Sequence, residues 1–523
     1  MRSIYKHISK AGLAAVLMTA GCSKSFLEVN PPSQIVESNY FRTETDAMQS
    51  LSGIYHVLQW GQWMGFHPTH CWSEAASDDA YSGGGSQSDG VGIKALDQFR
   101  LVTIGDQTYR GLWSIYYAGI ARANVYLSKI EGIAAGDAFK KTTIAEARFL
   151  RAYLYFELVR WYEHVPLVTE PLTDPAGYNQ PQATPEAVFN QIMTDLEAAI
   201  PDLPQQSMKA TTGRATAWSA KALLARAYMF YRGVYNKDLQ AGNITIDKKR
   251  ARDHVEDIIT KGGFTLVANY NDIFRKAFEF STESVFEVAH SDKNIASNVN
   301  DQRLGQGNFS VHMFAPRGLN DAVYSPGWSY GVITESLAQA FEANDPRKNA
   351  TILYGTQFTP ITKSWQYTGY FNKKYSTHQE YKTSTGNVDA NWGNNYRSIR
   401  YADVLLMAAE LWLGEDAGKA DKYLNDVRKR VSMPEVTATT ESIRHERRVE
   451  LAGEGIRYWD LLRYGLPYAK QQIDASSLRG PLYDGDQQRF DMDWDVSKRG
   501  RLPIPQVEMD ISNGVLIQNE GYR

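Results

Sequence analysis

Apolar residues recur at helical spacing over most of the chain. Ala47, Leu51, Ile54 and Leu58 fall on one stripe, and Thr43 with Asp46 predicts a capped start for a helix reaching about Trp60. Trp113, Ile120, Asn124 and Leu127 mark a second helix, and Thr143–Val168 a third that ends near Pro166. Thr184-Pro185-Glu186 combines an N-cap, a first-turn proline and an acid facing the helix dipole; that helix runs to about Ile200. Ala215–Arg232 and a segment from Ala251 to the Gly262-Gly263 stop follow. Between Phe264 and Ile399 the pattern changes to short β-prone pieces among Gly, Asn, Ser and aromatic residues, mostly loop and far longer than an ordinary connection. Helices resume over Ile399–Leu413, Gly418–Val431 and Thr440–Gly465. Ala147 and Ala152, Ala220 and Ala227, Ala402 and Ala409 allow close helix approach, as helix–turn–helix repeats of tetratricopeptide type require. An unrelated helical bundle is the alternative.

The amino terminus follows a different logic. Residues 2–10 are basic, 11–21 are apolar and end in small residues, and Cys22 follows Ala20-Gly21. Eleven residues are too few to span a bilayer, and the order is that of a secretory signal with Cys22 as the lipidated first residue. Ordinary signal cleavage before an incidental cysteine is the competing reading. Residues 22–42, with Pro31-Pro32, read as a tether. The only other cysteine is Cys71, so lipidation of Cys22 leaves no disulfide.

Composition narrows the function. Lys and Arg number 56 against 59 Asp and Glu, a net charge of -3 without the cationic footprint of a nucleic-acid binder. Aromatic content stands out, with 31 Tyr, 12 Trp and 20 Phe. A length of 523 residues would by itself suggest two or three domains.

Five segments bear on that question: Glu146–Arg160, Ala215–Phe230, Ile399–Glu410, Ile443–Gly465 and Leu502–Tyr522. Their order and spacing after a lipoprotein signal resemble the SusD/RagB family of outer-membrane nutrient-binding lipoproteins. The resemblance implies a mainly α fold in which four tetratricopeptide-like helix pairs support a loop-rich ligand-binding half. Residues 43–523 would then be one domain, with an N-terminal half of about 43–263 and a loop-rich and C-terminal half of about 264–523. It implies capture of an oligosaccharide or polysaccharide beside a SusC-like TonB-dependent transporter as partner at the cell outer membrane; no cofactor is expected, and since no segment suggests an acid and a base facing each other, binding without catalysis is expected. A secreted glycan hydrolase and a scaffold binding only proteins are the competing functions.

Other motifs carry little chemistry. His67, His70 and Cys71 lack the further ligands of a zinc site. Asp491, Asp493 and Asp495 open like a calcium loop, but Val496 and Leu502 replace its required Gly and Glu, leaving only an irregular calcium site as an alternative. The alternating charges Glu446, Arg447, Arg448, Glu450, Glu454 and Arg457 read as a salt-bridged helix surface.

A sugar presents an apolar face and a rim of hydroxyls, so its site needs flat aromatic rings beside Asp, Asn or Arg. Two stretches combine these. The first, Trp72–Tyr81, supplies Trp72, Asp78, Asp79 and Tyr81; the second, Asn308–Tyr330, supplies Arg317, Asn320, Tyr324 and Trp328. Trp60 and Trp63 are weaker candidates.

Overall fold

The computed structural model describes residues 41–61, 69–100, 105, 107–293, 305–382, 387, 389–477 and 491–523. Helix α1 (Glu44–Val57) begins as the sequence predicts: Thr43 Oγ1 accepts from Asp46 N at 3.2 Å and the Asp46 carboxylate accepts from Thr43 N at 2.9 Å. A short helix, α2 (Thr69–Ala75), precedes the two long ones, α3 (Gln107–Lys129) and α4 (Asp137–Tyr162). Then follow α5 (Pro185–Ala199), α6 (Ala217–Tyr235) and α7 (Lys248–Lys261). Thr184 caps α5 through Ala187 N at 3.2 Å. The C-terminal half adds α8 (Tyr401–Trp412), α9 (Ala417–Arg430), α10 (Thr440–Glu450), α11 (Arg457–Arg463) and α12 (Leu466–Ala475).

The helices from α3 to α9 pack in succession, each against the next, with α1 on α3. The small residues sit at these contacts: Ala147, Ala152, Ala220, Ala227, Ala402 and Ala409 are all fully buried. A single cluster of buried side chains runs from Phe41 to Leu516 and joins the helical half to the loop-rich half. Phe41, at the end of the expected tether, packs edge-on against Tyr126.

Among the described residues, eight short strands form four antiparallel pairs. β1 (Ala80–Gly83) pairs with β5 (Tyr330–Ile333), and β2 (Leu239–Ala241) with β3 (Ile244–Ile246). β4 (Ser284–Val288) pairs with β8 (Tyr396–Arg400), and β6 (Ile352–Tyr354) with β7 (Tyr370–Asn372). The β-prone pieces expected inside the long loop region are β4 and β6.

Two expectations from the sequence need correction. Thr440–Gly465 is not one helix. The chain leaves α10 after Glu450 and passes Gly453 and Gly455 with φ of +76° and +78° before α11, a conformation only glycine adopts without strain. The bend lets Gly453 O accept from Asn372 Nδ2 at 2.8 Å and Gly455 N donate to Glu74.

Nor are the alternating charges a solvated surface. Glu446, Arg447, Glu450, Glu454 and Arg457 are all buried. Arg347 and Arg428 hold Glu446, while Arg347, Arg400 and Arg430 converge on Glu450. Glu454 joins Arg400 and Lys374, and Arg447 bridges Asp403 to Asp460. The surrounding cations hold Glu450 well below the usual carboxylate range despite its burial. Removing one member of such a network leaves a buried charge unpaired, at a cost of about 3–5 kcal/mol.

Candidate functional site

The two candidate stretches meet, but not through the side chains their composition singled out. β1 and β5 join them in register, Tyr81 opposite Val332 and Gly83 opposite Tyr330. The first stretch is core. Trp72 is 0% exposed and stands edge-on against Tyr109 and Trp161, so it has no face for a sugar. Asp78 accepts from Arg457 Nε and Nη2 at 2.7 and 2.8 Å, and Asp79 accepts from Arg448 Nε at 2.8 Å. Both carboxylates are 0% exposed. Tyr81 is buried and donates to Ser476 O. These four are therefore corrected from ligand contacts to interior residues: Asp78 and Asp79 tie the approach to β1 to the α10–α11 segment, Tyr81 ties β1 to the end of α12, and Trp72 fills the core.

The second stretch is buried from Asn308 to Pro316 and reaches the surface only between Arg317 and Trp328. Arg317 is half-buried and donates from Nη2 to Asp89 Oδ2 at 2.8 Å; Tyr330 Oη donates to Asp89 Oδ1 at 2.8 Å. Asp89 also accepts from Gly85 N at 2.7 Å, so one carboxylate ties the glycine-rich turn to the 317–330 loop. These hydrogen bonds and the Arg317 charge hold Asp89 below its ordinary range against partial burial. Asn320 is exposed. Tyr324 is half-buried, its ring edge-on to Phe358 and His378 at 6.0 and 5.7 Å. Trp328 is half-buried against Phe309 and His312 at 5.2 and 5.3 Å.

Beside the Asp89 knot opens a cleft of about 480 Å³. Trp365 and Val91 give it apolar faces, and Gln87, Lys94, Gln98 and Arg100 give it a polar rim. Burial pushes Lys94 down to about 8, while its ammonium donates to Gly83 O and lies 5.7 Å from the Tyr330 ring centroid. Asp97, on the inner wall, is pushed up to about 7 by burial. Its oxygens accept from Ser82 N at 2.8 Å and Gln366 Nε2 at 2.7 Å. Trp365 is the residue that the two-stretch reading missed. Its backbone N donates to Gly84 O at 2.8 Å, which brings the β6–β7 loop over the cleft. The aromatic, glycine-rich texture of 264–399 was the available signal, but it could not single out one ring.

The remaining candidates fall elsewhere. Trp60 is buried, with the Arg122 guanidinium 4.9 Å from its ring centroid. Trp63, His67 and Cys22 lie outside the described residues. Cys71 is a buried thiol in α2, and His70 stacks on Tyr396 at 4.1 Å. Asp493 is neutralised by Arg100 and Lys470, and Asp495 caps Ser497 N at 3.0 Å. Among the described residues no group of three or more His, Cys, Asp or Glu is placed to hold a metal ion.

The chain is similar to known proteins over most of its length. A family model described as "SusD family" matches residues 347–522, and one described as "Starch-binding associating with outer membrane" matches 25–229. A solved laminarin-binding SusD-like protein is 32% identical, covered over 92% of this chain and 100% of its own, with a TM-score of 0.80. Surface glycan-binding protein A from Bacteroides thetaiotaomicron, solved with laminarihexaose, is 26% identical over 91% of this chain and 99% of its own, with a TM-score of 0.77. A SusD-like protein of Bacteroides ovatus is 27% identical over 474 residues, 86% of this chain and 80% of that protein. The chain belongs to the SusD family, and its mainly helical, tetratricopeptide-like architecture is that family's fold.

Proposed function

We propose that the protein captures a glycan at the cell surface and passes it uncleaved to a TonB-dependent barrel in the outer membrane. The observation that carries this reading is the cleft under Trp365 with its polar rim, in a fold whose solved relatives include a laminarin binder and a laminarihexaose complex. An indole face removes the apolar side of a sugar from water, while Gln87, Gln98 and Arg100 meet hydroxyls. Asn320, Tyr324 and Trp328 extend the aromatic and polar surface along the neighbouring loop.

Turnover would need an acid and a base or nucleophile facing each other across the ligand. Asp97 has the raised pKa of a general acid, yet its oxygens are engaged by Ser82 and Gln366, which makes it a strut of the β1 turn. Cys22 supplies the lipid anchor in this account. No described helix is long and apolar enough to cross a membrane, so inward movement of the glycan falls to a partner that does.

Calorimetric titration with a laminarin hexasaccharide, with a parallel assay for reducing ends, tests the reading. Saturable binding without new reducing ends is expected. Absence of binding to this and other neutral glycans contradicts it, and cleavage restores the hydrolase alternative.

A further inference from the structure

Tyr324 also forms one wall of a second cavity, of about 220 Å³, in the loop-rich half. Its other walls carry three cations, Arg275, Lys373 and Lys374, and the imidazole of His378. Among the described residues that line it there is no carboxylate. Phe274 and Tyr381 supply ring surface, and Asn271 and Ser376 supply neutral hydrogen-bonding groups.

The acidic neighbours are already committed. Lys374 is buried and donates to Glu454 Oε1 at 2.7 Å, and Glu454 is shared with Arg400. Arg275 lies 3.4 Å from Asp272, and Glu380 lies 3.6 Å from His378. Lys373 differs from the other two cations. Its ammonium donates to the Asn349 carbonyl at 2.8 Å, and among the described residues it makes no ion pair. Burial without a compensating carboxylate holds its pKa below the ordinary lysine value. A half-buried ammonium turned toward a cavity with cationic walls is favourable when an anion shares the space, because charge-assisted hydrogen bonds replace the lost hydration.

We propose that the Tyr324 cavity accepts an anionic substituent, a carboxylate or sulfate group carried on the captured glycan, with Lys373 as its principal partner. This rests on the glycan-binding reading above. Tyr324 would contact the ring that bears the group, Arg275 would approach from the solvent side, and Asn271 and Ser376 would take its hydroxyls.

The test uses one glucan backbone in three forms: a laminarin hexasaccharide, the same oligosaccharide oxidised at C6 to uronates, and the same oligosaccharide O-sulfated. Each is titrated into the folded protein at low and high salt. At least one charged form should bind about ten-fold or more tighter than the neutral one, with the advantage shrinking in salt. Lys373→Met should abolish that advantage and leave neutral binding unchanged, and Lys373→Arg should restore it. The charged form that shows the advantage identifies the substituent. Neutral binding with no gain from either charge, or a gain that survives Lys373→Met, overturns the cavity's role. Charged binding through Lys373 without neutral binding supports the cavity and overturns the neutral-glycan reading. No binding of any form overturns both.

Discussion

Arg457 grips Asp78 through two hydrogen bonds, Nε to Oδ1 at 2.7 Å and Nη2 to Oδ2 at 2.8 Å, across 379 residues of sequence. Both side chains are buried. The pair locks the segment leading into β1 against the start of α11, and so fixes one end of the strand that carries the cleft's glycine turn. Asp78→Ala strands the Arg457 charge in the interior and should destabilise the protein by about 3–5 kcal/mol, read from denaturant unfolding. Glycan affinity of the variant that remains folded should change little, which separates Asp78 from a ligand contact.

The same cluster predicts an acid limit. Arg448 and Arg457 overcome burial to hold Asp78 down to about 2, below the usual carboxylate value near 3.9. A depressed carboxylate contributes its full stability above the unfolded value and loses it as pH falls through the folded one. Thermal unfolding should therefore show stability falling between about pH 4 and pH 2. The acid-sensitive component should disappear in the Asp78→Asn, Arg457→Gln double variant.

Glu74 has the opposite sign. Burial first, then the nearby Asp79 charge, push it up to about 8. The folded state binds this proton more tightly than the unfolded chain, so stability drains as pH rises from about 5 to 8. Glu74→Gln keeps an acceptor for Gly455 N and removes the titration. Its melting temperature should fall less between pH 6 and pH 9 than that of the parent protein.

Close helix packing gives a prediction independent of charge. A Cβ on Gly233 of α6 would stand 2.4 Å from the Arg463 carbonyl oxygen of α11. Alanine favours a helix over glycine by about 1 kcal/mol, yet here backbone must shift to admit the methyl. Gly233→Ala should therefore lower stability, by about 1–3 kcal/mol in chemical denaturation. A stabilised variant would show that α6 and α11 lie farther apart.

Much of this fold is legible in the sequence. Thr43 with Asp46, Thr184 with Pro185, and the buried alanines each state a local rule that the tertiary structure keeps. The helix break at Gly453–Gly455 was hidden, because the surrounding residues are sound helix formers and only the contacts with Asn372 and Glu74 explain the turn. The site was harder for the same reason. Trp72, Asp78 and Asp79 have the residue types of a sugar site, but composition does not report that the whole run from α2 into β1 is buried. Their arginine partners lie some 370 positions away, beyond any periodicity. Trp365 reaches the cleft only through its backbone contact with Gly84, another long-range fact.

Calorimetry with a laminarin hexasaccharide tests the central claim most directly when run on the parent protein beside Trp365→Ala and Trp72→Phe. The parent should bind saturably. Loss of the Trp365 ring should weaken it about ten- to thirty-fold, on the order of 2 kcal/mol, while the folded Trp72→Phe protein keeps near-parental affinity. Undiminished binding by Trp365→Ala together with loss in Trp72→Phe would contradict the placement of the site.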